Sequence, residues 1–260
     1  NPEPEPTSAR FGSRCPICMD EWDVNETQTL RVCCCRMVCT SCHYKIGSEP
    51  CPLCRSPHPT SEAEDLARLR RHAENEVPEA ISHLGLKYFQ GAPLVAQNFK
   101  KAAKIYKRAV ELGDVDAFNN LGHMYQNGTS SAFIKRYIPR PIPTVIVTLI
   151  LHRTGKGVKQ DTKKAMQLYR MAAEKGDAVA QFNLGMSFKL LSGPDEAMPW
   201  FKMAAEQSYT HAEFHLGICL LEQLPDGDEV KYEAENAAES AAAIVEARRW
   251  LQRAADKGDD

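Results

Sequence analysis

The stretch AFNNLGHMY, residues 117–125, decides the fold. Ala117, Leu121 and Tyr125 stand four residues apart, so on an α-helix they share one face. The same Ala-x-x-x-Leu-Gly-x-x-aromatic pattern recurs as Ala80, Leu84, Gly85 and Tyr88, and as Ala180, Leu184, Gly185 and Phe188. A last copy, Ala212, Leu216, Gly217 and Leu220, replaces the ring by leucine. Glycine inside a helix costs about 1 kcal/mol against alanine. Its return at one position in four units predicts that another helix approaches closely there.

A second pattern follows each first one: Ala102, Ile105, Tyr106, Ala109; then Ala165, Leu168, Tyr169, Ala172; Ala197, Trp200, Phe201, Ala204; and Ala247, Trp250, Leu251, Ala254. Each copy reads as a helix with one apolar stripe, so the bulky residues fall in core slots. Gly113, Gly176 and Gly258 are placed as C-caps, and the aspartate after each can cap the next helix. Asn98 and Asp161 are spaced to cap second helices. No single helix of this kind buries its stripe alone, so pairs must stack. The expected fold is mainly α, an α-solenoid of about four helix pairs.

The Leu-Gly-x-x-Tyr step, the loop Gly157-Val158-x-x-Asp161 and the helix Lys164-Ala165-x-x-x-Tyr169-x-x-Ala172-Ala173 resemble the Sel-one-like repeat family, relatives of the tetratricopeptide repeat. The resemblance covers 79–260. It implies a surface that holds protein partners and no chemistry of its own. Pro199 departs from the pattern and is expected in a first helical turn, where proline is tolerated. The Leu-Gly steps lie 37, 63 and 32 residues apart. Cutting out 129–155 restores the repeat's loop, which marks that stretch as an insertion. It reads as a retained intron or, alternatively, as a binding or membrane-touching loop.

Nine of the ten cysteines fall between Cys15 and Cys54, in an order that runs Cys15 and Cys18; Cys33, Cys34 and Cys35; Cys39 and Cys42; Cys51 and Cys54. Two thiols in a Cys-x-x-Cys pair suit one tetrahedral metal better than separate disulfides. Zinc thiolates and a cysteine-poor remainder point to a reducing compartment, so the expected location is intracellular, cytoplasmic or nuclear. The domain expectation is a disordered segment over 1–13, a zinc finger over 14–59, a linker helix over 60–78 opened by the capping box Ser61 to Glu64, and repeats over 79–260.

These spacings resemble a RING finger in an all-cysteine variant. The resemblance implies two structural zinc ions, one held by the first and third groups and the other by the second and fourth. The expected ligands are Cys15, Cys18, Cys39 and Cys42 for one ion, and Cys33, Cys35, Cys51 and Cys54 for the other. Cys34 is the alternative ligand, because some all-cysteine relatives place one five residues before the third group. His43 and His58 are weaker reserves.

Cys15-Pro16-Ile17-Cys18 and Cys51-Pro52-Leu53-Cys54-Arg55 resemble the ubiquitin-ligase subset of these fingers. The resemblance implies a ubiquitin-conjugating enzyme docked on Ile17, Pro52 and Leu53. It gives Arg55 the bridge between that enzyme and its ubiquitin, and it leaves the repeats to bind a protein substrate. Catalysis would be by orientation, without a covalent intermediate. The helix after Cys42 lacks the tryptophan such grooves often carry; Tyr44 or Ile46 stands in for it. The alternative is a non-catalytic zinc-containing scaffold.

A formal charge of −2 gives no basic field for nucleic acid, and no apolar run approaches the length of a membrane span. His211 and His215 stand four apart, but Glu213 is misplaced for a His-Glu-x-x-His protease. Cys219 reads as a small buried apolar residue.

Overall fold

The computed structural model describes residues 14–21, 25, 28–47, 49–128, 158–224 and 234–257. The expected disordered segment 1–13 and the expected insertion 129–155 lie outside them. The described residues contain one antiparallel hairpin, β1 (Gln28–Arg31) and β2 (Arg36–Cys39), and ten helices. These are α1 (Thr40–Ile46), α2 (Glu62–Glu74), α3 (Pro78–Gln90), α4 (Phe99–Glu111), α5 (Val115–Asn127), α6 (Thr162–Glu174), α7 (Ala178–Leu191), α8 (Pro194–Glu206), α9 (Thr210–Glu222) and α10 (Ala234–Asp256). The chain divides into two compact units, Asn1–Met171 and Ala172–Asp260, with the division inside α6.

Short polar side chains start four of the repeat helices. Asn98 accepts from the Lys101 N–H at 2.9 Å and Asp114 from the Ala117 N–H at 2.6 Å. Asp161 accepts from Lys164 at 3.0 Å and Asp177 from Ala180 at 2.7 Å. Each satisfies a donor that the first helical turn leaves without a partner. α2 starts at Ser61, which accepts from the Glu64 N–H at 3.2 Å. The Glu64 carboxylate reaches back one residue further than a simple capping box, to the Thr60 N–H at 2.8 Å. Pro199 is not in a first turn. Pro194 takes that place, so the helix begins five residues earlier and Pro199 lies inside α8.

The repeated glycines explain themselves in the packing. A Cβ on Gly85 would lie 2.7 Å from Cε1 of Tyr106, and one on Gly122 would lie 2.7 Å from Cε1 of Tyr169. In the second unit, Gly185 meets Phe201 at 2.7 Å and Gly217 meets Leu251 at 2.6 Å. The first helix of each pair is notched, and the bulky residue of the second fills the notch. Tyr106, Tyr169 and Phe201 are buried as a result.

In the first unit, Tyr106 packs in one core with Phe99, Ala102, Ala109, Ala117 and Leu121. The second unit's core holds Phe201, Ala204, Leu216 and Cys219, which is fully buried. Charged groups are buried in this unit too, Asp177 and Glu213 among them. Glu213, with no exposed surface, is clasped by Arg253 at 2.9 Å and Lys257 at 2.8 Å, both reaching from the C-terminal end of the chain. No described helix is long and apolar enough to cross a membrane.

Candidate metal centre

Two short loops of the cysteine-rich segment share one backbone design. The Cys15 N–H donates to the Asp20 carbonyl at 2.8 Å, and the Met19 N–H returns to the Cys15 carbonyl at 2.9 Å. Likewise the Cys51 N–H donates to Ser56 at 2.9 Å, and the Arg55 N–H returns to Cys51 at 2.7 Å. The residue after each second cysteine is left-handed, with φ of 64° at Met19 and 59° at Arg55. This turn folds both cysteines of a pair toward one point and aims the intervening N–H groups at sulfur.

Two further segments complete the groups. Cys39 and Cys42 flank the start of α1, where the Cys39 sulfur accepts from the Cys42 N–H at 3.4 Å. The hairpin turn presents Cys33 and Cys34. The Arg31 carbonyl accepts from both the Cys34 and Cys35 N–H groups, at 3.1 and 2.8 Å, and Cys35 is left-handed with φ 53°. Cys15, Cys18, Cys39 and Cys42 then gather with their sulfurs within 4.8 Å of one another, and so do Cys33, Cys34, Cys51 and Cys54.

Cys34 therefore stands in the second group where the spacing expectation put Cys35. The tight turn is the reason. It brings two consecutive residues to the same side, and the left-handed residue that closes it carries Cys35 away, to be buried with Leu30, Leu69 and Ala80.

The donor sets fit a metal ion. None of the ten cysteines is in a disulfide. Four thiolates bound tetrahedrally at about 2.3 Å would stand about 3.8 Å apart. Cys18 and Cys39 sulfurs are 3.8 Å apart, and Cys34 and Cys51 sulfurs 3.9 Å. Each group has one cysteine prepared as a thiolate. Burial raises the Cys15 thiol, but N–H donors from Cys39, Cys18 and Ile17 outweigh it and hold it at about 6. Cys51 is likewise raised by burial and brought down to about 6 by Cys54 and Leu53. Burial pushes Cys34 up to about 11 and Cys35 up to about 12.

The other expected site residues scatter around these groups. Ile17 and Leu53, one from each matched loop, are half-buried against a shared cluster of Cys15, Val38 and Cys42. Pro52 and Arg55 are exposed. Tyr44 is 77% exposed, while Ile46 is buried and so unavailable to a partner. His43 and His58 belong to neither cysteine group. Arg68 was absent from the sequence expectations. It donates to the Pro57 carbonyl at 2.8 Å and to Glu64 at 2.5 Å, tying α2 to the chain that follows Arg55.

A family model described as Sel1 repeat matches residues 78–114, 115–136, 150–177, 178–209 and 243–259, together just over half of the chain. The chain belongs to the Sel1 repeat family. The matched stretches break between 136 and 150, inside the expected insertion. A Sel1 repeat protein from Oxalobacter formigenes is similar at 27% identity over 76% of this chain and 65% of that one, with a TM-score of 0.52. A protective antigen of uropathogenic Escherichia coli displaying an SLR fold is 22% identical over 76% of this chain and 50% of its own, with a TM-score of 0.29. This chain thus spans less than two thirds of the length of either. No curated protein matches it. The cysteine groups lie outside every matched repeat.

Proposed function

We propose that this Sel1 repeat protein is a RING-type ubiquitin ligase. In this reading two zinc ions are held by Cys15, Cys18, Cys39 and Cys42, and by Cys33, Cys34, Cys51 and Cys54. Zinc is the ion that an all-thiolate, closed tetrahedral set favours, and its contribution would be structural. The supporting observation is the shared seat of Ile17 and Leu53 on the Cys15–Val38–Cys42 cluster, with Pro52 exposed beside them. Two loops of matching design thereby offer apolar side chains next to each other, as the family's groove for a conjugating enzyme requires.

Arg55 follows the last cysteine, exposed and with a left-handed backbone. Its role is to bridge the conjugating enzyme and its ubiquitin and hold the thioester ready for attack, so the rate gain is one of orientation. The repeats bind the protein substrate.

One observation favours a second reading, a non-catalytic scaffold. α1 offers the groove only Tyr44, because Ile46 is buried. Discharge of ubiquitin from a panel of charged conjugating enzymes separates the two. The ligase reading expects discharge by the wild type, its loss in Arg55→Ala with metal content unchanged, and weaker enzyme binding in Ile17→Ala. A folded, metal-loaded wild type that discharges none of the panel would leave the scaffold reading standing alone.

A further inference from the structure

The linker helix α2 carries the signature of a repeat's second helix. Leu69 stands seven residues before Glu76, as Tyr106 stands before Gly113, Tyr169 before Gly176 and Phe201 before Ser208. Those four turn residues are all left-handed, with φ of 58°, 84°, 84° and 66°. The same pair of hydrogen bonds closes each turn. Glu76 and Val77 donate to Ala73 and His72, both at 3.1 Å, as Gly113 and Asp114 donate to Val110 and Ala109, both at 3.0 Å. An alanine four residues later then begins the inner face of the next helix, Ala80 after α2 and Ala117 after α4.

Among the described residues no repeat-type first helix precedes α2, and no glycine there offers Leu69 a notch. The hairpin takes that place. Leu69, with no exposed surface, is buried with Leu30 and Cys35 from the hairpin and with Ala80 of α3. Departures from the repeat pattern fall where a helical neighbour is missing. Asp65, Arg68 and His72 stand at the positions of Ala102, Ile105 and Ala109. Arg68 uses its position to hold the Pro57 carbonyl.

We propose that the cysteine-rich segment and α2 together form a half-repeat that caps the N-terminal end of the repeats, with the hairpin replacing the first helix and α2 bracing the second metal site. Leu69 packs beneath Cys35, the neighbour of Cys34, and Arg68 anchors the chain three residues beyond Cys54. One helix therefore braces both segments that carry the second group's ligands, and it touches no ligand itself. The cluster around the first group, built on Cys15, Val38 and Cys42, contains no residue of α2. Repeat arrays gain stability from each neighbour interface and need their ends covered, so the cap also stabilises α3. The inference rests on the metal reading and is independent of the ligase reading.

The test loads the full chain with cadmium and follows each thiolate site by cadmium NMR during chelator competition. In Arg68→Ala and Leu69→Ala the second group should release metal on the order of ten- to a hundredfold faster, as for other residues that orient ligands. The first group should keep the wild-type rate. Equal rates at both sites in Arg68→Ala, whose side chain is largely but not wholly buried, would overturn the brace. The wild type gives a check that needs no substitution: stripping both metals should raise amide exchange in α2 and α3 and leave α7 to α9 unchanged. Undiminished protection of α2 after stripping would overturn the cap. A wild type that takes up no cadmium would sink the metal reading, and the coupling with it.

Discussion

Replacing Gly85 by alanine tests the notch that defines these repeats. On an isolated helix the change should stabilise by about 1 kcal/mol. Here the new methyl would stand 2.7 Å from Cε1, 2.8 Å from Cδ1 and 3.2 Å from Cζ of Tyr106, against about 3.5–4.0 Å for carbons in contact. Tyr106 is 1% exposed and enclosed by Phe99, Ala102 and Ala117, so the ring cannot swing aside. Overpacking of this kind costs about 1–3 kcal/mol. With two ring atoms inside 3 Å the upper part of that range applies. Less the helical gain, the net loss is about 1–2 kcal/mol. Urea titration of the full chain, followed by circular dichroism, should show a lower midpoint for Gly85→Ala. The double variant Gly85→Ala with Tyr106→Leu should lose less than the two single changes added together, because each removes part of the other's penalty. Gly85→Ala as stable as the wild type, or more so, would refute the close approach.

Two further outcomes are expected. Cys34→Ser should drop metal content from two ions to one per chain, whereas Cys35→Ser should keep two and lower stability through the core it shares with Leu69; metal analysis of the purified variants decides, and the reverse result would return Cys35 to the ligand set. Asp114 is raised to about 7 by burial and by Asp116, while in the unfolded chain it ionises near 4. Between about pH 4 and 7 the unfolded chain gives up a proton that the folded one keeps, so this group's contribution to stability falls as pH rises and is lost above 7. Asp114→Asn retains an acceptor for the Ala117 N–H and should gain on the wild type across that window, by a few kcal/mol at most. A difference in unfolding free energy that stays flat from pH 4 to 8 would contradict the shift.

The repeats were legible because their signal is periodic. Gly85, Gly122, Gly185 and Gly217 announce a close contact at a fixed place, and the ring that fills it recurs in the second pattern. The hidden repeat signal in α2 has a physical cause. Glu76 takes the left-handed turn that glycine takes after α4 and α6, so the residue that would flag the helix end is absent. Three of the inner positions, at Asp65, Arg68 and His72, also carry polar side chains where the next repeat has Ala102, Ile105 and Ala109. Among the cysteines, spacing could group the pairs but could not choose between Cys34 and Cys35. That choice depends on where the hairpin turn places its left-handed residue, and three consecutive thiols look alike until the turn is known. Pro199 was misplaced because Pro194, a better first-turn residue, stands only five positions earlier.

The clasp on Glu213 sets a condition on the order of assembly. Its two cations, Arg253 and Lys257, stand 40 and 44 residues after Glu213, and the carboxylate they neutralise has no exposed surface. A buried carboxylate stripped of its partners costs about 3–5 kcal/mol. On a ribosome, α9 emerges well before those cations do. Until α10 and the residue after it have been made, this helix must leave its acid in water or stay undocked, so the second unit closes only once α10 is complete.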